Sequence, residues 1–525
     1  MEGEATSDFS TEGELSKELG LKEALTIGVG TMIGAGIFVL PGTALAISGP
    51  AAILAYVLAG VLCMITAAST AELATGMPKS GGAYFFISRS MGGMMGTISG
   101  VSVWLSLTFA VAFYLQGFGE YLNLFLPLDS IILAVLAGIF FTYVNYIGAK
   151  ETGKTQNIIV GILLSILLIY VVWGSLHFDV STFQPFTPYG IQPIFLTTAI
   201  IFVSFLGFVQ IASVAEEVKE PGYTLPRAII GSVAIVTVLY AFVLAVTTGL
   251  MPLDELIGYD APIVESARLF SGLAGGAAIT FAALLATASS ANASILAASR
   301  ISFALGRDDI FPDWLNQIHD KYMTPYRPIL LTGLLTIVLI VTADVELLSS
   351  SASVLMLLNY SLLNITVLIM RTAPPEGYDP DYRSPGYPYL HIIGSLSSLG
   401  VIFFAGILAQ IVAVGLVVFS LVWYFAWAKN KTVLEGALSS LKPAQLTSIF
   451  KKEIPAASTA QTVIKEEPEE MEKEIYRVLT PMANPAHEKA MLNISSGMVK
   501  STKLQGEITL LNVIRLEYLN RLLSI

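Results

Sequence analysis

The residues best suited to bind a ligand lie in one apolar stretch, TIGVGTMIGAGIFVLPGTALAI, at 26–47. A membrane-spanning helix needs about 20 residues, so this stretch is long enough to be one. Its centre holds Gly34 and Gly36, and glycine is about 1 kcal/mol less favourable than alanine inside a helix. An interrupted helix leaves backbone N–H and C=O groups free to bind a ligand. The same glycines could instead let two helices pack closely, and their spacing does not separate the two interpretations.

Side chains that commonly carry catalysis are few and scattered. The histidines, His177, His319, His391 and His487, fall in loops, at the end of an apolar segment and near the C-terminus. The one cysteine, Cys63, lies inside an apolar segment, so the chain offers no intrachain disulfide and no cysteine-based metal site. No spacing brings a nucleophile and a base together. The sequence therefore predicts neither an enzyme nor a bound metal or other cofactor.

Composition places the chain in a membrane. Of its 525 residues, 54% are hydrophobic and 13% are charged, whereas soluble domains have about 25% charged residues. The net charge of −11 comes mostly from acidic segments near the two ends, and no basic tract predicts nucleic-acid binding. We expect an all-α polytopic membrane protein whose partners are the lipid bilayer and a small molecule. The sequence predicts no particular oligomeric state.

Apolar segments predict about twelve transmembrane helices. They lie at 26–47, 51–74, 93–118, 130–149, 156–176, 192–215, 228–250, 274–304, 328–343, 347–370, 389–408 and 410–428. The last two run together without a charged residue between Tyr389 and Lys429. We therefore place a tight turn near Ala409 and Gln410.

The charges of the connecting loops predict the orientation. With the N-terminus inside, Arg268 is the only basic residue in an outside loop. The inside loops hold Lys79, Arg89, Lys150, Lys154, Lys219, Arg227, Arg300, Arg307, Lys321, Arg327, Arg371 and Arg383. Basic loops favour the cytoplasmic side. We predict a multi-pass protein of the plasma membrane with both termini in the cytoplasm.

Changes in composition divide the chain into four parts. Residues 1–25 are a polar N-terminus, and 10–25 have the pattern of a short amphipathic helix on the membrane surface. Residues 26–430 hold the apolar segments, 431–473 form a linker, and 474–525 form a cytoplasmic tail. The membrane domain therefore makes up most of the chain.

The sixth apolar segment, IFVSFLGFVQIASVAEEVKEP, is the second irregular one. Ser204 and Gly207 interrupt an otherwise bulky run. The first and sixth segments are five apart, so they are equivalent if segments one to five and six to ten form two repeats of opposite orientation. Paired interruptions in inverted repeats mark the binding site in many transporters.

Four motifs resemble those of the amino acid–polyamine–organocation transporter superfamily. They are GVGTMIGAGIFVLPG (28–42), TAELATGMPKSGGAYFFISR (70–89), SFLGFVQIASVAEEVKEPGYTLPRAI (204–229) and SSANASILAASRISFALGRDDIFPDWL (289–315). With the apolar segments, the resemblance covers residues 20–430. It implies a core of ten helices in two inverted five-helix repeats, with helices one and six broken, and two further helices. It also implies transport of an amino acid or a related amine by alternating access.

The resemblance implies a site for the head group of an amino acid at the two broken helices. N–H groups that start the second half of helix one would hold the α-carboxylate, because a helix N-terminus carries partial positive charge. Carbonyl groups at the breaks would hold the α-ammonium. The N–H groups are those of Ala35, Gly36 and Ile37, and the carbonyls are those of Met32, Val203 and Leu206. The glycines of the breaks include Gly34 and Gly207. The candidates near the substrate side chain are Trp104, Phe205 and Asn292.

The scarcity of acidic residues inside the apolar segments bears on the substrate. Glu72, Glu120, Glu216 and Glu217 all lie near segment ends. A cationic side chain would need a carboxylate partner, because an unpaired charge inside the membrane is costly. We therefore expect a neutral amino acid. Two alternatives stay open: a carrier or exchanger of cationic amino acids or polyamines with the same fold, and a membrane amino acid sensor that reports through its tail.

The coupling ion is open between Na⁺, H⁺ and uncoupled exchange. Some proton-coupled relatives place a lysine of helix five against the broken first helix. The matching position here is near Leu163, and 155–176 contain no lysine. In sodium-coupled members of the wider fold the ion lies between helices one and eight, where oxygen ligands suit a hard cation. The matching groups are the hydroxyls of Ser289 and Ser290 and the carbonyls of Gly30, Ile33 and Ala286. The serines could also simply bond helix carbonyls.

Charged residues near the inner segment ends are candidates for gate ion pairs that form in one transport state. Glu72, in the motif at 70–89 that predicts a gate-side loop, would pair with Arg89 or with another cytoplasmic arginine. The other candidate pairs join Glu216 or Glu217 to Arg300 or Arg307.

The tail has the pattern of a β-α-β unit. Short apolar runs at 476–481 and 507–514 flank a helical stretch at 485–500. Residues 474–516 resemble the opening of a universal stress protein domain. A complete domain of that family needs roughly a hundred more residues, and its nucleotide-binding loop would lie beyond Ile525. We therefore do not predict nucleotide binding.

Overall fold

The computed structural model describes residues 19–440 apart from 80, 149–152, 260, 376, 433 and 435, together with the two segments 476–482 and 506–512. The chain divides into two compact units, Met1–Glu453 and Ile454–Ile525. The described residues of the first unit are overwhelmingly helical, and those of the second form two strands.

The first unit contains helices of very different lengths. They are α1 (Leu21–Met32), α2 (Ala35–Phe38), α3 (Leu40–Ser48), α4 (Ala52–Gly76), α5 (Gly82–Met91), α6 (Gly93–Asn123), α7 (Ser130–Tyr146), α8 (Gly153–Gly174), α9 (Gln192–Ile201), α10 (Phe208–Ser213), α11 (Pro221–Leu250), α12 (Leu253–Leu256), α13 (Pro262–Arg307, kinked at Gly272), α14 (Tyr326–Thr342), α15 (Val345–Thr372), α16 (Tyr389–Phe404) and α17 (Ile407–Ala426). Each of the twelve predicted apolar segments contains or overlaps at least one of these helices.

Eight helical segments of the described residues are long and apolar enough to cross a membrane. They are Leu40–Gly76, Gly93–Asn123, Gln156–His177, Gln192–Ser213, Pro221–Leu250, Pro262–Arg307, Val345–Thr372 and Ile407–Ala426. Three apolar helices, α7, α14 and α16, are shorter. The first predicted segment is not among the eight because it is divided into α1, α2 and α3. The architecture is that of a polytopic membrane protein.

Helix α1 starts earlier than the first predicted apolar segment. It begins at Leu21, and the N–H of Gly20 donates to Glu23 Oε2 at 3.1 Å. Residues 21–25, which the sequence predicts as the end of a separate surface helix, therefore form the first turn of α1. The remainder of that prediction, at 10–18, lies outside the described residues.

The two irregular segments are joined at both ends. Before α1, Leu19 exchanges two backbone hydrogen bonds with the turn after α10: its N–H donates to the Glu217 carbonyl at 2.9 Å, and its carbonyl accepts from Lys219 N at 2.8 Å. At the opposite end, the hydroxyls of Ser48 and Thr197 hydrogen-bond to each other between α3 and α9. The first and sixth segments are therefore direct neighbours along their length.

Small residues bring the long helices close together. Helix α4 packs along α11, and α6 packs along α13 and α15. At the α4–α11 contact, Gly60 lies against Thr237 so closely that a β-carbon would overlap the threonine side chain. Membrane helices associate through such close van der Waals contacts, because lipid is as apolar as the side chains and no hydrophobic effect drives the helices together.

Helix α5 forms where the sequence predicts a loop. The chain leaves α4 through Gly81 and Gly82, whose φ angles of 131° and 56° favour glycine. From Ala83 onward it is helical and buries Tyr84 and Phe86. The prediction of a loop is thus wrong beyond Gly81, because buried apolar residues at helical spacing follow the glycines.

The turn between α16 and α17 lies at Ala405 and Gly406, so the predicted turn at Ala409 and Gln410 is wrong. Gln410 sits inside the first turn of α17. Its Nε2 donates to the carbonyls of Phe403 at 2.9 Å and Ala405 at 2.8 Å. The amide therefore satisfies carbonyl groups that the end of α16 leaves free.

The second unit contains β1 (Tyr476–Met482) and β2 (Gly506–Asn512), which pair in parallel from Tyr476 with Gly506 to Met482 with Asn512. The strands fall where the sequence predicts them. A parallel pair needs a long crossover connection, and the helix predicted for it at 485–500 lies outside the described residues.

Candidate functional site

The first apolar segment is interrupted at Ile33 and Gly34. Helix α1 ends at Met32, and the N–H of Gly34 donates back to the Met32 carbonyl at 2.8 Å. Ile33, with φ −75° and ψ 65°, has the backbone of an inverse γ-turn. The chain becomes helical again at Ala35, and α2 runs into α3 through Val39, whose backbone is right-handed helical. The first N–H groups of this second half have no acceptor within their own helix.

Buried tyrosines hold the carbonyl groups around this interruption. Tyr240 of α11 donates to the Met32 carbonyl at 2.6 Å, and Tyr56 of α4 donates to the Gly36 carbonyl at 2.9 Å. Tyr121 of α6 donates to the Phe38 carbonyl at 2.6 Å. A buried carbonyl without a partner costs about 1–3 kcal/mol, so these phenols stabilise the irregular backbone. No spacing pattern in the sequence marks them as a set.

The sixth segment changes from an α-helix to a tighter 3₁₀ turn and back, without the non-helical residues that interrupt the first segment. Helix α9 ends at Ile201, and a 3₁₀ turn over Phe202–Phe205 leads to α10. The N–H of Val203 donates to Ser353 Oγ at 2.8 Å, and Ser353 donates to the Ile200 carbonyl at 3.1 Å. Gly207 keeps right-handed helical angles. The interruption predicted at Ser204 and Gly207 is therefore milder than the one in the first segment.

The two irregular stretches touch through glycines. A β-carbon on Gly36 would overlap the Ser204 side chain and lie 2.9 Å from its Cα. A β-carbon on Gly207 would lie 2.7 Å from Met32 N. One on Gly34 would lie 2.7 Å from Ser290 Oγ of α13 and 3.2 Å from a ring carbon of Tyr114 on α6. Close approach thus requires glycine at all three positions.

Two hydroxyls at this contact are buried and unpaired. Ser204 and Ser290 are each 1% exposed, and among the described residues neither Oγ has a hydrogen-bond partner. They lie against Gly36 and Gly34, respectively. Other buried hydroxyls of the described chain also lack a partner, but these two face the interrupted backbone. They could bond a polar ligand bound there.

The remaining residues predicted for the head-group site lie in the same region. Ala35, Ile37, Val203 and Leu206 are all buried at the two irregular stretches. Phe205 is fully buried, and its ring meets Tyr240 edge-on at 5.5 Å between centroids.

Trp104 is not brought to the interruption. Its indole N–H donates to Thr332 Oγ1 at 3.1 Å, and its ring packs edge-on against Phe311 at 5.8 Å. The residue of α6 that contacts Gly34 is Tyr114, which is about 15 Å further along the helix at 1.5 Å per residue. The sequence could not place Trp104 correctly because α6 is apolar on nearly every face.

Asn292 also points elsewhere. Asn145 Nδ2 of α7 donates to Asn292 Oδ1 at 2.8 Å, so this amide pair links α7 to α13. Residues two apart in a helix lie on nearly opposite faces. Because Ser290 faces the interruption, Asn292 faces α7.

Two of the residues predicted for a sodium ion, Ser289 and Gly30, lie against a glutamine of α8. Ser289 Oγ donates to Gln156 Oε1 at 3.1 Å, and a β-carbon on Gly30 would lie 2.5 Å from Gln156 Nε2. Ile33 and Ala286 are fully buried. The α8 residues that contact Gly30 are Gln156 and Val160, and Leu163, about one turn further along α8, is buried.

Of the two partners predicted for Glu72, it binds another cytoplasmic arginine and not Arg89. Arg371 at the end of α15 binds Glu72 through two contacts of 2.6 Å. Arg89 instead lies over the Phe85 ring at 5.2 Å. Glu72 therefore takes the alternative of another arginine, because Arg371 is brought beside it by the packing of α15 on α4.

The second predicted gate contact is likewise different. Glu216 lies 3.6 Å from Lys79 Nζ. Arg307 lies 3.8 Å from Asp308, its neighbour in sequence, and Arg300 is exposed on α13. Glu217 contributes its carbonyl to the backbone pairing with the chain before α1.

The chain is similar to known membrane carriers. A family model described as amino acid permease matches residues 19–430. The branched-chain amino acid permease BcaP of Bacillus subtilis (strain 168) is 29% identical over 449 residues, which are 81% of this chain and 96% of that protein. The methylthioribose transporter of the same organism is 27% identical over 412 residues, 75% and 89% of the two chains. The vacuolar cationic amino acid transporter 4 of Arabidopsis thaliana is 30% identical over 393 residues, 69% and 65% of the two chains.

Proposed function

We propose, from the premise that this chain belongs to the amino acid permease family and is a membrane transporter, that it is a secondary carrier of a neutral amino acid. The substrate head group binds where the interrupted first segment meets the sixth, and the protein alternates between inward and outward access. In this proposal the N–H groups of Ala35, Gly36 and Ile37 hold the α-carboxylate, because they begin the helical run that continues through α3.

The observation that carries the proposal is the pair of unpaired hydroxyls, Ser204 and Ser290. Buried hydroxyls normally have partners, and each one without a partner costs about 1–3 kcal/mol. Both lie against glycines of the interrupted backbone. A bound carboxylate or ammonium would supply the missing hydrogen bonds and remove this cost.

The carbonyl groups near the interruption are not equivalent. Met32 O already accepts from Tyr240 and from Gly34 N, and a carbonyl has two lone pairs. The Val203 carbonyl accepts a longer backbone bond, from Leu206 N at 3.3 Å. We therefore assign the α-ammonium to Val203 and Leu206, with Met32 acting mainly to hold the turn.

The preference for a neutral side chain rests on the surroundings of the interruption. The contacts described there come from Tyr56, Tyr114, Tyr240, Phe205 and the two serines. None of these supplies the carboxylate that a cationic side chain would need. The branched-chain permease among the relatives agrees with this choice.

A cationic amino acid is the second candidate because the Arabidopsis relative is named a cationic amino acid transporter. Carbonyl groups and water would then have to replace a carboxylate partner. One relative of similar identity is named a methylthioribose transporter, so not every relative is named for an amino acid. The substrate panel must therefore include arginine and methylthioribose.

The topology is part of the proposal. Twelve spans, with helices one to five and six to ten as inverted repeats, account for the eight long helices, the three shorter ones and the interrupted first segment. The basic inside loops support cytoplasmic termini in the plasma membrane. The parallel pair β1–β2 supports a cytoplasmic tail that begins like a universal stress protein domain.

Uptake into proteoliposomes tests the function. The purified full chain is reconstituted and offered radiolabelled leucine, serine, arginine and methylthioribose, each with and without inward Na⁺ and H⁺ gradients. We expect accumulation or exchange of leucine or serine, and no comparable uptake of arginine. Specific binding without transport would support a sensor instead, and arginine uptake alone would favour the cationic carrier.

The same assay assigns the coupling ion. If a Na⁺ gradient drives uptake, we place the ion between α1 and α13, near Ser290 and the carbonyls of Gly30 and Ile33. Ser290→Ala should then weaken the dependence on Na⁺. If only the H⁺ gradient drives uptake, that sodium site is wrong.

A further inference from the structure

A buried chain of polar side chains lies at the end of the bundle where α4 and α15 end and α16 begins. Its members come from α4, α15, α16 and the segment before α16: Ser69, Glu72, Asn364, Arg371, Ser384 and His391. The side chain of Arg371 is 16% exposed, and the other five residues are at most 3% exposed. None of them belongs to the interrupted helices.

Glu72 anchors one end of this chain as an ionised carboxylate. Arg371 donates from Nε to Oε1 and from Nη2 to Oε2, both at 2.6 Å. The N–H of Ser384 donates to Oε2 at 2.8 Å, and the Ser384 hydroxyl donates to the same oxygen. Three of the four contacts come from N–H groups, which only donate, and the bidentate guanidinium favours the ionised carboxylate, which acts only as an acceptor. The hydroxyl hydrogen of Ser384 is thereby committed to Glu72.

The other end of the chain is the side-chain oxygen of Asn364. Its Nδ2 donates to the Tyr360 carbonyl at 2.8 Å and to Thr66 Oγ1 at 3.1 Å. This pairing assigns Oδ1 as the atom that faces Ser69 Oγ at 2.7 Å. An amide oxygen only accepts, so this contact needs the hydrogen of Ser69, whose other acceptor, the Ile65 carbonyl, is further away at 3.3 Å.

His391 lies between the two serines. Its Nε2 is 3.0 Å from Ser384 Oγ, and its Nδ1 is 2.9 Å from Ser69 Oγ. Because Ser384 gives its hydrogen to Glu72, Nε2 must donate. Because Ser69 gives its hydrogen to Asn364, Nδ1 must donate as well. A ring that donates from both nitrogens is an imidazolium.

Counting hydrogens gives the same result. Four contacts in series run from Asn364 to Ser69, His391, Ser384 and Glu72, and each needs one hydrogen. The two serines supply two. A neutral imidazole supplies one more, and an imidazolium supplies the full set. With a neutral ring, one contact would join two acceptors without a hydrogen.

The charged and titratable groups that face the ring come from each neighbouring element. Helix α4 contributes Glu72, α15 contributes Arg371, and the segment before α16 contributes Tyr387, whose ring is 5.9 Å from that of His391. Helix α9 also packs on α16 and contributes no titratable residue. Burial and the Arg371 charge oppose a cation on the ring. The completed hydrogen-bond series and the Glu72 carboxylate favour it.

We propose that His391, with Ser69, Ser384 and Glu72, forms a buried proton-binding site that takes up one proton on the imidazole. The site is separate from the amino acid site and does not depend on which substrate the protein carries. Its ligand is H⁺, exchanged with the solvent at this end of the bundle, where the Arg371 side chain is partly exposed.

Nitrogen NMR of the ring tests the proposal directly. The full chain, labelled with ¹⁵N-histidine, is placed in lipid nanodiscs without substrate and titrated from about pH 5 to about pH 8, where histidine ordinarily changes charge. Replacing His177, His319 and His487 by glutamine leaves one labelled ring to observe. We expect both nitrogens of His391 to be protonated in at least the acidic part of this range.

A serine variant separates a proton site from a merely packed histidine. Ser69→Ala removes the acceptor of Nδ1–H, and we expect the titration midpoint to fall by about one pH unit or more, since a hydrogen bond to a charged group is worth at least that much. Ser361→Ala is the matched control. Ser361 is buried on α15 and hydrogen-bonds Ser395 of α16 at 2.8 Å, and neither serine belongs to the series from Asn364 to Glu72. It should leave the midpoint unchanged.

Two results would overturn the proposal. One is a ring that stays neutral, with a single protonated nitrogen, over the whole range in the folded wild type. The other is a midpoint that Ser69→Ala does not lower. Neither result depends on transport, so failure of the amino acid carrier proposal would leave this one standing, and the reverse also holds.

Discussion

Replacing Ser204 by alanine separates a hydroxyl that binds ligand from one that only packs. Ser204 Oγ is buried against Gly36 without a partner among the described residues. If it bonds the substrate head group, the change weakens substrate binding and at the same time relieves the substrate-free protein of an unpaired polar group. The two effects have opposite signs, and packing alone would produce only the second.

The magnitudes follow from the hydrogen bond that is lost. A hydrogen bond to a charged group contributes about 1.5–3 kcal/mol. Each 1.4 kcal/mol is a factor of ten in an equilibrium constant, so Ser204→Ala should raise Kd about 10- to 150-fold. An unpaired buried hydroxyl costs about 1–3 kcal/mol, so the thermal midpoint of the substrate-free protein should stay the same or rise.

Equilibrium binding of a radiolabelled amino acid that the wild type accumulates measures the first effect, and thermal unfolding of the substrate-free protein measures the second. Ser420→Ala is the matched control. Its hydroxyl is also fully buried and unpaired among the described residues, but it lies on α17 away from the interruption. It should show the stability effect with Kd within twofold of wild type.

A Ser204→Ala protein that binds the substrate within twofold of wild type would refute the assignment. The glycines would then be explained by close packing alone. A fall in both affinity and thermal midpoint would also contradict the reasoning, because it would mean that the hydroxyl already has a partner in the substrate-free protein.

Three further predictions concern the glycines, the tyrosines and the buried ion pair. Gly36→Leu should abolish uptake while the protein still inserts in the membrane, whereas Gly415→Leu, with open space around its β-carbon, should transport normally; wild-type uptake by the first variant would overturn the site. Tyr240→Phe removes one of the two hydrogen bonds to the carbonyl at the end of α1, where the bond from Gly34 N remains, and should destabilise the protein by about 0.5–1.5 kcal/mol, seen as a lower thermal midpoint; an unchanged midpoint contradicts this. Glu72→Gln breaks the buried pair with Arg371 and should cost about 3–5 kcal/mol, more than a double variant that also changes Arg371→Met; the opposite order of midpoints would show that the pair is not what holds these helices.

The position of the first interruption could be predicted from the sequence because its cause is local. Gly34 lacks the side chain that would favour a continuous helix, and the break falls at Ile33 and Gly34. The tyrosines that hold it could not be predicted. Tyr56 and Tyr240 come from α4 and α11, and only the packing of these helices on α1 brings their hydroxyls to the free carbonyls.

The rotation of each membrane helix was harder to predict than its position. A helix that is apolar on all sides has no polar stripe to mark the face that points inward. The sequence therefore predicts Trp104 and Asn292 at the site, although Tyr114 and Ser290 are the residues that face Gly34. The sequence likewise indicated that Glu72 needs a basic partner, but only the fold selects Arg371.

The ties between the two irregular segments have a mechanical consequence. At one end, Leu19 joins them through backbone hydrogen bonds, and at the other end Ser48 hydrogen-bonds Thr197. Between these ends, the Tyr240 hydroxyl contacts the carbonyl of Met32 and, at 3.4 Å, that of Ser204. Sliding one segment past the other would break all of these contacts. A movement that keeps them carries both segments together, so any displacement during transport has to occur where this pair meets the surrounding helices.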